Sequence, residues 1–485
     1  MKRPYHLVLL VAVFGYLFYP LATGSNVFVF DGILLLGVLR LRPEVALHTG
    51  FRWAVAGLLA SAVSVVVVHT PASQVAHGVS FLLVLGFAQA RELRFIWYAL
   101  LLGATVTLRA PLQALRLAQT GDPGGQRTRA ALRWIRLAGY PVLVLLVFLV
   151  LYATGNSAFD RVLEAMSAHF AIGQLPVFKW ILLALLGTVC TLPFLYPDDV
   201  LGAAALDAAQ TDRLRRRRRA VKPTVRLTPL SLPAQLRRGL LLFTLLNALL
   251  LLVNVTDLCV VWGPQDQQDA ATLSEYVHAG TTNLVISILL AMAIVIYYFR
   301  ANLNFYRPAA PLRYLAYTWL AQNAFLALSV GLRNYHYIAA YGLAYGRVYV
   351  VFGLLLMLVG LFTLYRKVRS RLSFSFLLQA NGISAWLFLI AFGAVNWTGL
   401  ITRHNLAQPP AGIDWVYLTR DLDHTNAYLL VPYRDWLPAK ADRYLARKLT
   451  AARNRRPTDW RDWNYADYRS AKRLPPVPAT SHRPK

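Results

Sequence analysis

Apolar residues in this chain fall into runs of about 16 to 25, separated by short polar connectors, from one end to the other. The runs lie at about 5–22, 25–40, 53–70, 72–90, 94–109, 134–154, 177–196, 238–261, 276–299, 312–333, 346–365 and 374–397. At 1.5 Å per residue, each is long enough, or nearly so, to cross about 30 Å of hydrocarbon as a helix. None alternates with period two, so the pattern does not describe a membrane barrel. It predicts an all-α, polytopic helical integral membrane protein of about 11–12 transmembrane helices with a short C-terminal extramembrane tail.

The connectors predict sidedness. Arg213–Arg219 (RLRRRRR), the arginines of 109–136, Arg300, Arg307 and Arg313, and Tyr365–Arg371 (YRKVRSR) mark cytoplasmic loops, because Lys and Arg in short loops stay inside. Residues 155–176 and 262–275 carry acids and at most one base, which places them outside. Upstream, Lys2, Arg3, Arg40, Arg42, Arg52, Arg91 and Arg94 also read as cytoplasmic. That holds only if 94–109 does not cross, so this run is expected to be re-entrant or interfacial. The N-terminus is then cytoplasmic and the C-terminus extracytoplasmic. Asn156–Phe170 places Phe159, Val162, Leu163 and Met166 on one helical face, the pattern of a helix lying on the outer surface. The organisation expected is an N-terminal membrane region (1–133), a membrane hairpin with a basic cytoplasmic loop (134–236), a core membrane region (237–400) and an extracytoplasmic tail (401–485). In that tail, 435–453 is expected to be helical, Arg456–Arg469 mixes Trp and Tyr with alternating charges, and the last fifteen or so residues read as disordered.

Composition agrees with this class. Of 485 residues, 57% are hydrophobic and 15% charged, where a soluble chain carries about a quarter charged. The net charge of +28 sits largely in the short loops, so it reads as a topology signal and not as a nucleic-acid surface. Cys190 and Cys259 fall at opposite depths and do not predict a disulfide. The basic, apolar N-terminus lacks a clean cleavage site and reads as the first span. No phosphate-binding G-x-x-x-x-G-K-[ST], G-x-G-x-x-G, H-E-x-x-H, G-x-S-x-G or C-x-x-C motif occurs, which argues against an ATP-driven pump, a zinc protease or a dithiol oxidoreductase.

Several stretches together resemble a known family. They are SEYVHAGTTNLVISILLAMAIVIYYFR (Ser274–Arg300), VTDL (Val255–Leu258), LAYTWLAQNAFLALSVGLRNYHYIAAYGLAYGRVYVV (Leu315–Val351), VNWTGLITRHNL (Val395–Leu406) and GIDWVYL (Gly412–Leu418). In order and spacing over about 240–420 they resemble bacterial multi-pass membrane proteins known as domain of unknown function 4173. The resemblance implies a bacterial integral membrane protein and brings no activity with it.

The polar residues bordering the late spans supply the candidate chemistry. The predicted topology brings Asp257, Glu275, His278, Arg333, Asn334, Tyr335, Tyr341, Arg347 and Asn396 to one outward-facing depth. Glu275, His278 and Thr282 share a helical face, so Glu275 and His278 suit a proton-responsive pair. Arg333 and Arg347 suit carboxylate or phosphate, and the tyrosines add stacking faces. The structural alternatives are a helix cap at Ser274–Glu275 and an ion pair from Glu275 to Arg333 or Arg347. Two ligands alone do not make a metal site, and no cofactor is implied. Asp31 is a second acid inside a membrane run, near its outer end. The expected function is non-enzymatic: an inner-membrane protein that binds, transports or senses a polar or anionic solute or lipid head group, with membrane lipids as partners. The rival readings are a membrane-embedded enzyme on a lipid or lipid-linked substrate, with His278 or Glu275 as base, and an accessory subunit of a membrane complex. Oligomeric state is not readable from the chain.

Overall fold

The computed structural model describes residues 3–19, 22–120, 176–199, 201–216, 231–263, 270–300, 302–409 and 412–475. The predicted span 134–154, the amphipathic stretch 156–170, Arg217–Arg219 and the last ten residues lie outside these. The chain divides into two compact units, Met1–Asp207 with Pro457–Tyr465, and Ala208–Arg456 with Ala466–Lys485. Both are built of helices, and no β-strand occurs among the described residues.

The first unit contains α1 (Arg3–Phe18), α2 (Ser25–Leu41), α3 (Thr49–Val67), α4 (Pro71–Gln89), α5 (Ile96–Thr120), α6 (Pro176–Leu195) and α7 (Ala203–Ala208). α3 packs on α4, α4 on α5, α5 on α6, and α6 on α1. α4 starts where Pro71 follows Thr70, whose hydroxyl and that of Ser73 cap each other's backbone N–H groups. Glycines set the approach of α4 and α5. A Cβ on Gly86 would stand 1.8 Å from the Ala99 carbonyl oxygen, and one on Gly103 would stand 2.1 Å from that of Leu82. Only small residues let two membrane helices come this close. The start of α5 is held by fully buried Asp207, whose Oδ2 accepts from the N–H groups of Arg94 and Phe95 at 2.8 Å. A carboxylate suits a helix N-terminus, where N–H groups lack partners. α5 runs through Pro111 well past the apolar run at 94–109. The Trp-rich stretch near 460 belongs to this unit and lies against the start of α2, with Ser25 N–H donating to the Trp463 carbonyl at 2.9 Å.

The second unit contains α8 (Leu232–Val260), α9 (Ala270–Tyr298), α10 (Ala310–Tyr341), α11 (Tyr345–Ser370), α12 (Phe374–Gly393) and α13 (Trp397–Leu406), then α14 (Ala427–Leu430), α15 (Ala439–Asn454) and α16 (Tyr465–Arg473). α10 packs on α8, α9 and α11, and α11 packs on α12. α8 shows the logic of a helix in lipid. Its buried positions are Leu236, Gly239, Phe243, Asn247, Asn254 and Asp257, while Leu241, Leu245, Leu249, Leu252 and Leu258 are exposed. Polar groups face the partner and leucines face outward, the reverse of a soluble helix. Phe243 anchors the core edge-on to Trp319, ring centroids 5.2 Å apart. Lys367 at the end of α11 is buried and donates to the Phe299 carbonyl at 2.8 Å, satisfying an orphan carbonyl after α9.

Six helices among the described residues are long and apolar enough to cross a membrane, namely α3, α4, α8, α10, α11 and α12. Shorter apolar stretches lie in α1, α6 and α9. The chain is a multi-pass helical membrane protein. Its C-terminal tail has a core of its own: Ile401, Trp415, Leu418, Leu422, Leu430, Leu445 and Leu449 pack together. The helix expected over 435–453 is α15.

Candidate functional site

The candidate site of the second unit grows from the face that α8 turns toward α10. Asn247 donates to the Leu315 carbonyl at 3.1 Å and accepts from Gln322 at 3.1 Å. Seven residues on, Asn254 donates to the Gln322 carbonyl at 3.2 Å. Trp262, beyond the helix end, donates to Ser329 at 3.1 Å. Between these last two sits Asp257, which accepts from Nη2 of Arg333 in an ion pair whose side chains are 6% and 11% exposed. From Asn247 to Asp257 is ten residues, or about 15 Å along the helix, roughly half of a hydrocarbon core. The ladder is not fully satisfied. Asn254 Oδ1, Gln322 Oε1 and Asp257 Oδ2 are buried without a hydrogen-bond partner.

Arg333 leads to the turn between α10 and α11. Asn334 donates to the Arg347 carbonyl at 3.0 Å. Arg347 lies over the Tyr337 ring, 4.2 Å from its centroid, and its Nη1 donates to the carbonyls of Tyr341 and Gly342 that end α10. Gly342 is required here. Its φ is +77°, and a Cβ would stand 2.6 Å from Asn405 Oδ1. Asn405 on α13 clamps the turn by accepting from the Leu343 N–H at 2.6 Å and donating to the Leu343 carbonyl at 2.9 Å. The Tyr345 hydroxyl bonds to Thr398, and the Tyr345 N–H donates to the Tyr417 hydroxyl. The turn is therefore fixed by the folded tail.

The structure thus forms an Asp257–Arg333 pair and, starting one residue further along α10, a group of Asn334, Tyr341 and Arg347 at the turn. Tyr335 stands apart, 64% exposed with its ring near His336. Asn396 caps α13, its Oδ1 accepting from the Gly399 N–H at 2.8 Å. Glu275 and His278 lie within α9, and their side chains are outside the described residues.

Three polar features escaped the sequence reading. The amides of α8 are one; their spacing in phase with Asp257 was the available signal. The second is in the tail. Lys448 is 7% exposed and donates to the Leu418 carbonyl at 2.8 Å and to Asn426 Oδ1 at 3.0 Å. Burial depresses its pKa to about 7, against the pull of Asp423 and Asp421. Nearby, His424 lies 2.9 Å from Asp423 and 2.7 Å from Asp467. Burial alone would lower it, but the two carboxylates outweigh that and lift it to about 9. Lys448 is in phase with Ala441, Leu445 and Ala452 on α15, a lysine inside an apolar stripe. The third feature, His77 opposite Asp31, belongs to the first unit.

No curated protein and no solved structure matches the chain. A family model does, over most of its length, and it does not confirm the number 4173 suggested by the local motifs. The match covers residues 8–431 and is to the Domain of unknown function (DUF4153), and the chain belongs to that family.

Proposed function

We propose that this is a bacterial inner-membrane protein, N-terminus inside and C-terminus outside, that binds a phosphate- or carboxylate-bearing group at an outward-facing site. The site is the Arg333–Arg347 end of the second unit. Arginine-rich connectors supply the orientation, since they hold their loops in the cytoplasm and leave the α10–α11 turn opposite. The observation that carries the reading is the state of Arg347. Among the described residues its hydrogen bonds all leave from Nη1, so Nε and Nη2 remain as donors beside a ring-stacked, fixed guanidinium. That edge of the fork matches two oxygens of one anionic group. Asp257 neutralises Arg333 and keeps the site from holding an anion permanently. The unsatisfied ladder behind it leads half-way through the membrane, which favours binding or transport over catalysis at the surface.

A head group of an anionic lipid and a free anion share this chemistry, and one experiment separates them. The full chain, purified in mild detergent, is titrated with inorganic phosphate and with phosphatidylglycerol and followed by native mass spectrometry. Saturable binding of either, weakened at least tenfold in Arg347→Gln with helicity unchanged, is expected. The responding ligand identifies the source. Equal binding by Arg347→Gln, or no saturable binding of either ligand, overturns the reading.

A further inference from the structure

A separate feature of the first unit is an open-sided cavity of about 310 Å³ lined by residues of α1, α2, α3, α4 and α6. Its wall is mainly aromatic and aliphatic, from Phe14, Phe18, Phe30, Phe81, Val27 and Val65. The polar exceptions are Asp31 from α2, Gln74 and His77 from α4, Cys190 from α6 and Thr23. At about 30 Å³ per water-sized group, the space takes roughly ten non-hydrogen atoms. It falls at the small end of ligand pockets.

Asp31 makes this more than a packing gap. It lies on the buried face of α2 with Val27, Phe30, Leu34 and Leu35, and it is 1% exposed. Its Oδ2 has no hydrogen-bond partner. The facing imidazole nitrogen, Nδ1 of His77, is 3.8 Å away, beyond hydrogen-bond range, and is likewise unbonded. A carboxylate in apolar surroundings with an unmet oxygen is costly unless something completes it. The fold leaves room for that something. Gly78, which lines the same cavity, is exposed, and a Cβ built on it meets nothing within 4 Å, so the cavity is open on this side.

We infer that this cavity is a binding site for a small organic ammonium ion with an aromatic or alkyl body. An ammonium N–H donates to Asp31 Oδ2 and cancels its charge. The phenylalanine faces then receive the body, and they attract the cation as well. Three of these rings, Phe14, Phe18 and Phe30, already cluster with centroids 4.4 to 5.7 Å apart. Other ligand classes fit less well. No Lys or Arg lines the cavity, so an anion or the phosphate of a zwitterionic phospholipid lacks a counter-charge. A neutral alcohol can hydrogen-bond to Asp31 but offers its ionised form no counter-charge. The site is independent of the arginine site of the second unit and shares no residue with it.

The test compares phenethylamine, protonated at neutral pH, with its neutral counterpart 2-phenylethanol. Each is titrated by isothermal calorimetry into the full chain in detergent micelles. The amine is expected to bind at least tenfold more tightly. Asp31→Asn, which keeps the shape and removes the charge, is expected to erase that preference. Gly78→Leu, which adds bulk at the open side of the cavity where a Cβ meets nothing within 4 Å, is expected to block entry and abolish binding of both. Equal affinity for amine and alcohol, a preference that survives Asp31→Asn, binding that survives Gly78→Leu, or no saturable binding of the amine each overturns the inference. Arg347 is untouched by these variants, so the outcome leaves the arginine-site reading where its own test puts it.

Discussion

Two buried acids in membrane helices are treated in opposite ways by this chain. Asp257 is paired: Arg333 from α10 bonds directly to its Oδ1, leaving only Oδ2 without a partner, and an amide ladder on the same face ties α8 to α10. Asp31 is open: His77 stands 3.8 Å off, Oδ2 is unbonded, and a cavity lies in front of it. The same residue type at a similar burial therefore does two jobs. A closed pair resists removal of either member, because what is left behind is a lone buried charge. An open acid is itself the lone group, so its removal relieves the fold and costs only what it was kept to bind.

The largest expected effect tests that contrast directly. Asp257→Ala leaves Arg333 buried without its carboxylate and is expected to cost about 3–5 kcal/mol. Replacing both members, Asp257→Ala with Arg333→Met, is expected to recover a large part of it. Asp31→Asn is expected to leave stability unchanged or to raise it, since no hydrogen bond of Oδ2 is lost. Unfolding in mixed micelles, with denaturing detergent as titrant, measures all three. A loss at Asp31 as large as that at Asp257 would break the comparison.

A third buried charge, Lys448, lies in the tail and is closed by neutral oxygens instead of a carboxylate. Its pKa is depressed to about 7 from an ordinary 10.5, so the folded tail holds fewer protons than the unfolded one between those values. The burial penalty is complete below pH 7 and is relieved as pH rises toward 10.5. His424 does the reverse. Its pKa is raised to about 9 from 6.5, so its contribution is complete below pH 6.5 and is lost as pH rises through 9. The two slopes oppose each other between pH 7 and 9, and the stability of the wild-type tail is expected to be nearly flat there. Lys448→Met is expected to uncover a fall, of order 1 kcal/mol per pH unit, over that window. His424→Gln is expected to uncover a rise of similar size. Amide exchange of Ala439–Asn454 in the full chain, corrected for intrinsic rates, reads both. Matching slopes in the two variants would remove either group from the account.

The contrast between closed and open acids was only partly legible beforehand. Run length and composition were enough for the membrane class, and they placed Asp31 and Asp257 inside apolar runs. A shared helical end brought Asp257, Arg333 and Arg347 together in advance, because a charge in lipid gathers where helices end. The partner choice was hidden. Asp257 meets Arg333 because Asn247, Asn254 and Asp257 share the face packed on α10, and pairing of helices distant in sequence is not written in either one. His77 sat unnoticed in a run that also supplies Phe81 and Leu83, and only the packing of α2 and α4 on α3 brings it opposite Asp31. Lys367 read as part of a basic loop, yet α11 continues through it and buries it under the end of α9.

Asn396 sharpens the comparison from its weakest side. It was grouped with the arginines by depth, but its Oδ1 accepts from the Gly399 N–H and starts α13. α13 carries Asn405, which fixes the turn on which Arg347 rests. If Asn396 acts only as a cap, Asn396→Ala costs about 1 kcal/mol and Asn396→Asp restores it, since both Asn and Asp cap well. Phosphate or phosphatidylglycerol binding is then expected to stay within about twofold of wild type in Asn396→Asp, despite the added negative charge. A tenfold loss of binding in Asn396→Asp with stability restored would place this side chain against the anion itself. The candidate site would then extend from the α10–α11 turn to the end of α12, and a polar side chain with a closed hydrogen bond would still be one that ligand recognition uses.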